Sequence, residues 1–239
     1  MKKNIAILFI SALAGFAGNP INTPTNTPVK PEDVVTKMMR QDTIRQKTSG
    51  AYSWMARYSL HNRSRNAEML VHWTRTADGL KRYEIISESG DGGVRDHVFH
   101  KLLESEVEAS KPSERNRSRM DFYNYSFEYV DQEELDGRPA FVFDLTPRND
   151  SKYLTKGRVW IDATDFAVIQ VTGAPAHNPS FWTKKVDFVQ RYKKEGDVWV
   201  TASNHSITEA KIFGTADLTI EYFDYNIAPV ARAESADSR

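Results

Sequence analysis

From Ala51 onward, apolar side chains return at every second residue in short runs, and glycine-containing turns separate the runs. Tyr52, Trp54, Ala56, Tyr58 and Leu60 share one side of an extended chain, with Ser53, Arg57 and Ser59 on the other. Side chains alternate faces along a strand, so this pattern predicts strands with one buried face. Met69, Val71 and Trp73 repeat it, Asp78-Gly79 supplies a hairpin turn, and Tyr83, Ile85 and Ile86 fall in the run from Leu80 to Ser87. Three successive antiparallel strands are expected.

The alternation returns further on with Tyr125, Phe127 and Tyr129, turns at Asp136-Gly137, and resumes with Phe141, Phe143 and Leu145. Pro139 sits at the start of that strand, where a missing amide donor is tolerated. Further strands are expected at Arg158–Asp162, Phe166–Gly173, Thr183–Tyr192, Val198–Ala202, His205–Phe213 and Asp217–Asn226. The total is about eleven. Two segments carry helical spacing instead. Glu32 to Lys47 places Val35, Met38, Met39 and Asp42 on one stripe after a proline-limited start, and Val94, Val98, Leu102 with Phe99, Leu103, Val107 do the same after the Gly90-Asp91-Gly92-Gly93 break. Lys111 to Arg119 lacks such spacing and reads as a polar, basic loop.

A sheet of this many strands must curl, close or split, and its aromatic side needs a cover. The expected fold is mainly β with added helices (α+β): a strongly curved antiparallel half-barrel whose concave face the two helices cap. A shell this broad encloses more volume than two helices fill, which leaves an apolar cavity. The candidate ligand-binding residues are Trp54, Tyr58, Trp73, Tyr83, Phe127, Phe141 and Phe143 from the strands, with Val98 and Leu102 from the second helix. Each alone reads as core. The Val94–Val107 helix is the candidate lid, with Gly90, Gly92 and Gly93 as its hinge.

The N-terminus sets the destination. Lys2 and Lys3 precede an apolar run from Ile5 to Ala17, with Gly15 and Ala17 at the spacing signal peptidase favours. Residues 1–17 read as a cleaved secretory signal peptide, an uncleaved anchor being the competing reading. Residues 18–31, with Pro20, Pro24, Pro28 and Pro31 among Asn and Thr, form an extended linker. The domain occupies 32–227, and 228–239 is a flexible tail.

Composition removes several classes of function. With 32 basic against 32 acidic side chains, the chain lacks the positive surface that nucleic-acid binding needs. No cysteine is present, so disulfides, thiol nucleophiles and zinc–cysteine sites are excluded. His97, His100 and Glu104 align on the second helix, but without a third histidine they read as a solvent-facing set and no metal or cofactor is expected. Ser180 and Ser206 lie near His177 and His205 without a GxSxG elbow, so no hydrolytic triad is supported. Asp162-Ala163-Thr164-Asp165 reads as a turn whose carboxylates accept backbone donors, rather than an acid/base pair. Asn62, Asn116, Asn124, Asn149 and Asn204 begin Asn-x-Ser triplets, which read literally as glycosylation acceptors and here as chance products of turn-rich composition. Arg115, Arg117 and Arg119 concentrate positive charge; lipid headgroups or an acidic partner compete here with a solvated loop.

The run Tyr153-Leu154-Thr155-Lys156-Gly157-Arg158-Val159-Trp160-Ile161-Asp162-Ala163-Thr164-Asp165-Phe166 resembles the outer-membrane lipoprotein-sorting proteins of the LolA-like superfamily. The resemblance continues at Asn178-Pro179-Ser180-Phe181-Trp182 and Leu218-Thr219-Ile220-Glu221-Tyr222-Phe223-Asp224-Tyr225. It implies an incomplete barrel closed by helices that holds an acyl chain in the periplasm. The expected function is therefore a periplasmic, non-enzymatic carrier of a lipid or of lipoprotein acyl chains towards the outer membrane, meeting inner- or outer-membrane donor and acceptor proteins. An envelope sensor or protein-interaction module on the same shell is the alternative.

Overall fold

The computed structural model describes residues 30–48, 50–149, 153–177, 183–210 and 214–227. Helix α1 (Pro31–Thr48) leads into β1 (Tyr52–Asn62), β2 (Asn66–Arg75) and β3 (Lys81–Gly90). A helical crossover follows, in which α2 (Gly92–Val94) passes through a π-helical turn (Arg95–Phe99) into α3 (His100–Ala109), and then α4 (Pro112–Ser118). The remaining strands are β4 (Tyr125–Leu135), β5 (Arg138–Pro147), β6 (Thr155–Asp162), β7 (Val168–Pro175), β8 (Thr183–Glu195), β9 (Val198–Ala210) and β10 (Gly214–Ile227). The expected leader, most of the linker, the tail and the Asn178–Trp182 motif lie outside the described residues. No described helix is long and apolar enough to cross a membrane.

The ten strands among the described residues form one open, curved antiparallel sheet in the order β3-β2-β1-β10-β9-β8-β7-β6-β5-β4. Apart from the β1–β10 pair, neighbours in the sheet are neighbours in sequence, so the free edges are β3 and β4 and the helical crossover joins them. Register shifts interrupt the ladder at Ser53/Met55, Leu70/Val71, Tyr129/Asp131, Trp160/Ile161 and Arg191/Tyr192. Such irregularities bend a strand and add right-handed twist, which curls a sheet this wide into a shell. The β4–β5 turn is the two-residue Asp136-Gly137 hairpin, with φ of 50° and 77°, as a type I′ turn demands.

Two expectations need correction. Among the described residues the count is ten rather than about eleven, because Val198–Ala202 and the described part of the His205–Phe213 run belong to one strand, β9 (Val198–Ala210). Asn204 pairs with Gln190 on one side and Ile220 on the other, and a ladder satisfied on both sides overrides the turn preference of Ser203-Asn204. The expected basic loop at Lys111–Arg119 contains a helix, α4, with Pro112 in its first turn, Glu114 near its start and Arg115 and Arg117 in its last turn. Proline's fixed φ and charges that complement the helix dipole account for it, and neither leaves an apolar period to read.

The core divides in two beneath the helices. Under α2–α3, Val94, Phe99 and Leu103 pack on Trp54, Ala56, Tyr58, Leu60, Met69, Val71 and Trp73. Under α1, Val34, Val35 and Met38 pack on Tyr125, Phe143, Leu145, Val159, Ile161 and Val171. The opposite face of β5–β7 carries a smaller cluster of Ala140, Val142, Trp160 and Ile169. Each large apolar side chain fully buried this way contributes about 1.5–3 kcal/mol. Strands β6 and β7 approach unusually closely where Gly157 faces Gly173; a Cβ on Gly157 would stand 1.9 Å from the Thr172 carbonyl oxygen.

Candidate functional site

Between the two helical covers the sheet is not filled. A cavity of about 740 Å³ lies there, within the roughly 300–1,000 Å³ typical of ligand sites. Its walls are the C-terminal half of α1 (Met38, Asp42, Arg45, Gln46), the β2–β3 turn (Arg75, Gly79, Lys81) and the end of the crossover (Glu106, Ser110, Arg115, Arg119, Met120). Tyr52, Val168, Tyr192, Val198 and Trp199 supply its sheet side.

None of the nine residues singled out from sequence lines this cavity. Trp54, Tyr58, Trp73 and Val98 belong to the cluster under α2–α3, where Trp54 stacks on Trp73 at 5.9 Å and Tyr58 meets Phe99 at 5.9 Å. Tyr83 touches Trp73 but stays 37% exposed, because β3 is an edge strand. Leu102 is half-buried on α3. Phe127, Phe141 and Phe143 sit in the other cluster, under α1. The aromatic stripes are thus consumed by the helices that cover them. What remains open is the gap between the helices, and that gap is lined by polar and apolar side chains in similar measure.

Five of those side chains are cationic, Arg45, Arg75, Lys81, Arg115 and Arg119, against the two acids Asp42 and Glu106. Lys81 pairs with Glu106 and stands 5.9 Å from the Trp54 ring. Arg45 donates to the backbone carbonyls of Asp165 and Phe166. Arg75 donates to the Gly50 carbonyl at 3.3 Å and lies over the Tyr52 ring. Arg119 approaches Asp121 at 3.7 Å. Arg115 Nε is buried and makes no hydrogen bond among the described residues. Asp42 keeps access to water at the cavity mouth, yet the surrounding protein mass pushes its carboxyl pKa up; Arg119, Arg45 and a 2.7 Å bond from Gln46 Nε2 pull the other way. Burial likewise raises the Tyr192 hydroxyl, which accepts a hydrogen bond from Gln190.

Neighbouring turns hold these walls in place. Asn124, 1% exposed, donates its side-chain amide to the carbonyls of Asn116 and Arg119, fixing the end of α4 that presents the arginines. Ser110 Oγ accepts from Lys81 N and donates to the Val107 carbonyl, which docks α3 on β3. The Asp162–Asp165 segment is the turn the sequence suggested: Asp162 Oδ1 accepts from the amides of Thr164 and Asp165. Asp165 in turn accepts from Lys194 and Trp199, both on the sheet beside the cavity.

The remaining candidates are placed as follows. His100 lies 3.2 Å from Glu88 and 3.7 Å from Asp96. No group of three or more metal-ligating side chains occurs among the described residues. His205 faces Asp217 across the sheet at 2.9 Å, and Ser180 lies outside the described residues. Sequence reasoning missed the cavity-lining set, although two signals for it existed. Asp42 interrupts the apolar stripe of α1, and Arg115 and Arg119 are four residues apart, the spacing that puts both on one side of a helical turn.

No family model matches the chain, and no curated protein matches it. Solved structures do show similarity. A DUF1329 family protein from Desulfovibrio piger superposes with a TM-score of 0.43 and 13% identity over 84% of this chain and 94% of that one. A protein described as an outer membrane lipoprotein-sorting domain, from Vibrio parahaemolyticus, gives 0.42 and 14% over 82% and 93%. A LolA superfamily protein from Nitrosomonas europaea gives 0.41 and 8% over 81% and 93%.

Proposed function

We propose that the protein is a periplasmic, non-enzymatic carrier that takes up a lipid, or the acyl chains of a lipoprotein, for passage towards the outer membrane. The observation that supports this most is the cavity of about 740 Å³ held between a curved sheet and its two helical covers. Met38, Met120, Val168, Tyr192 and Trp199 give it an apolar side along which a chain can lie. A fourteen-carbon chain gains about 11 kcal/mol gross at roughly 0.8 kcal/mol per methylene, enough to hold a lipid in water after ordering costs. Lifting α2–α3 about Gly90, Gly92 and Gly93 would bare Trp54, Tyr58, Trp73 and Val98 and enlarge the apolar surface. Leader, residue resemblance and cavity all favour this reading.

A second reading, an envelope sensor or protein-interaction module, is favoured by one feature. Phe122, Tyr123, Tyr129 and Val130 are exposed at and beside the free edge strand β4, Tyr123 by 76%. An unpaired edge with apolar side chains can accept a strand from another chain. Organic extraction and mass spectrometry of protein purified from its native envelope separates the two. A stoichiometric lipid is expected from a carrier, whereas a lipid-free preparation that retains a protein partner sinks carriage.

A further inference from the structure

The β2–β3 turn brings two guanidinium groups together at the cavity wall. A Cβ placed on Gly79 would stand 2.7 Å from one terminal nitrogen of Arg115 and 3.4 Å from one of Arg75, so both side chains converge on this glycine, which sits at φ 91°. Neither Arg75 nor Arg115 pairs with a carboxylate among the described residues. Arg75 reaches only a neutral carbonyl and an aromatic ring, and Arg115 Nε is buried without a hydrogen bond. Asp78 is near enough to feel Arg115, but its carboxylate accepts from Thr76 Oγ1 instead.

Two like charges held side by side in a recess repel unless an anion sits between them. Arg119 also lines the cavity, but it already approaches Asp121 and faces Asp42. The acids of the cavity are already engaged, Glu106 by Lys81 and Asp42 by Gln46. Guanidinium is the group best suited to bind the oxygens of a carboxylate or phosphate two at a time. Beyond it, Met38, Met120 and Tyr192 offer surface to something apolar.

We propose that the cavity takes an amphiphile with an anionic head, a carboxylate or phosphate monoester on an alkyl chain. The head lies between Arg75 and Arg115, and the chain lies along the Met38, Met120 and Tyr192 side. This rests on the carrier reading and narrows its ligand class. A neutral acyl chain alone would leave the arginine pair unanswered, and a free anion alone would leave the apolar side empty.

The test is calorimetric titration of the full chain, below micelle concentrations, with dodecyl phosphate, dodecanoate, a neutral dodecyl glycoside, dodecyltrimethylammonium and inorganic phosphate. Both anionic amphiphiles are expected to bind about tenfold or more tighter than the neutral and cationic ones, and inorganic phosphate far more weakly than dodecyl phosphate. In the double variant Arg75→Gln/Arg115→Gln, anionic affinity should fall to the neutral level while glycoside affinity, which doubles as the folding control, stays unchanged. Equal binding of anionic and neutral amphiphiles by the unaltered protein overturns the inference and leaves carriage standing. Inorganic phosphate binding as tightly as dodecyl phosphate also overturns it, since the chain then contributes nothing. If no amphiphile of any charge binds, the carrier reading fails and the inference falls with it.

Discussion

Arg138 donates from Nε to Oδ2 of Asp162 across 2.6 Å, and that carboxylate has 0% exposure. Burial alone would raise its pKa, but Arg138 and the amides of Asp165 and Thr164 outweigh burial and hold it below the ordinary 3.8. A carboxyl depressed in the folded state stabilises the protein above the unfolded value and loses that contribution as pH falls through the folded one. Thermal stability should therefore decline with acidification below about pH 4. Asp162→Asn should cost about 2 kcal/mol at pH 7, the scale of a hydrogen bond to a charged group, and flatten the acid limb in denaturant titrations. An Asn variant with an unchanged acid limb would place the titrating group elsewhere.

Asp42 shows the opposite behaviour. Its folded pKa is raised, so the native state holds the proton more tightly than the unfolded chain and stability drops as pH climbs from 3.8 through the raised value. Asp42→Asn removes that loss. Its melting temperature should exceed that of the wild type at neutral pH, with the gap closing towards about pH 3. A lower melting temperature for the variant at pH 7 contradicts this account.

Phe99 is fully buried within the π-helical turn and meets Tyr58 at 5.9 Å. Truncation in Phe99→Ala removes the plug between the crossover and β1–β2. A loss of about 3–5 kcal/mol is expected in urea unfolding. A loss under about 1 kcal/mol would mean the helix contributes little to that half of the core.

Gly157→Ala acts through backbone. The new methyl meets the Thr172 carbonyl oxygen and the Gly173 Cα, neither of which can rotate away. Overpacking of this kind costs about 1–3 kcal/mol, and hydrogen exchange should rise first in β6 and β7. A variant as stable as the wild type, with unchanged exchange, would show that the two strands separate at no cost.

Strands β1 and β2 were legible because each buries one face. Tyr52 to Leu60 and Met69 to Trp73 alternate, and the ladder places Trp54 opposite Trp73 and Tyr58 opposite Met69. Where both flanks of a strand are paired, as at Asn204, local turn preference says little about the outcome. Helix α4 escaped notice because it faces the cavity with Pro112, Arg115, Asn116 and Ser118 instead of an apolar stripe. The cavity lining differs from the nine singled-out residues for a related reason. Period and burial identify what fills a core, so Trp54, Phe127 and Phe143 stood out, whereas a cavity is bounded by whatever the helices leave uncovered. Asp42, set in the apolar stripe of α1, and the Arg115/Arg119 spacing were the marks it left in one dimension.

Because β3 and β4 are the two rims of the shell and the run from Asp91 to Asn124 is the direct tether between them, sheet and crossover are strung like a bow. Spreading the rims draws the string taut, and slackening it lets them close. The walls of the cavity at Glu106, Arg115 and Arg119 belong to that string, so whatever moves them bears on both outer strands.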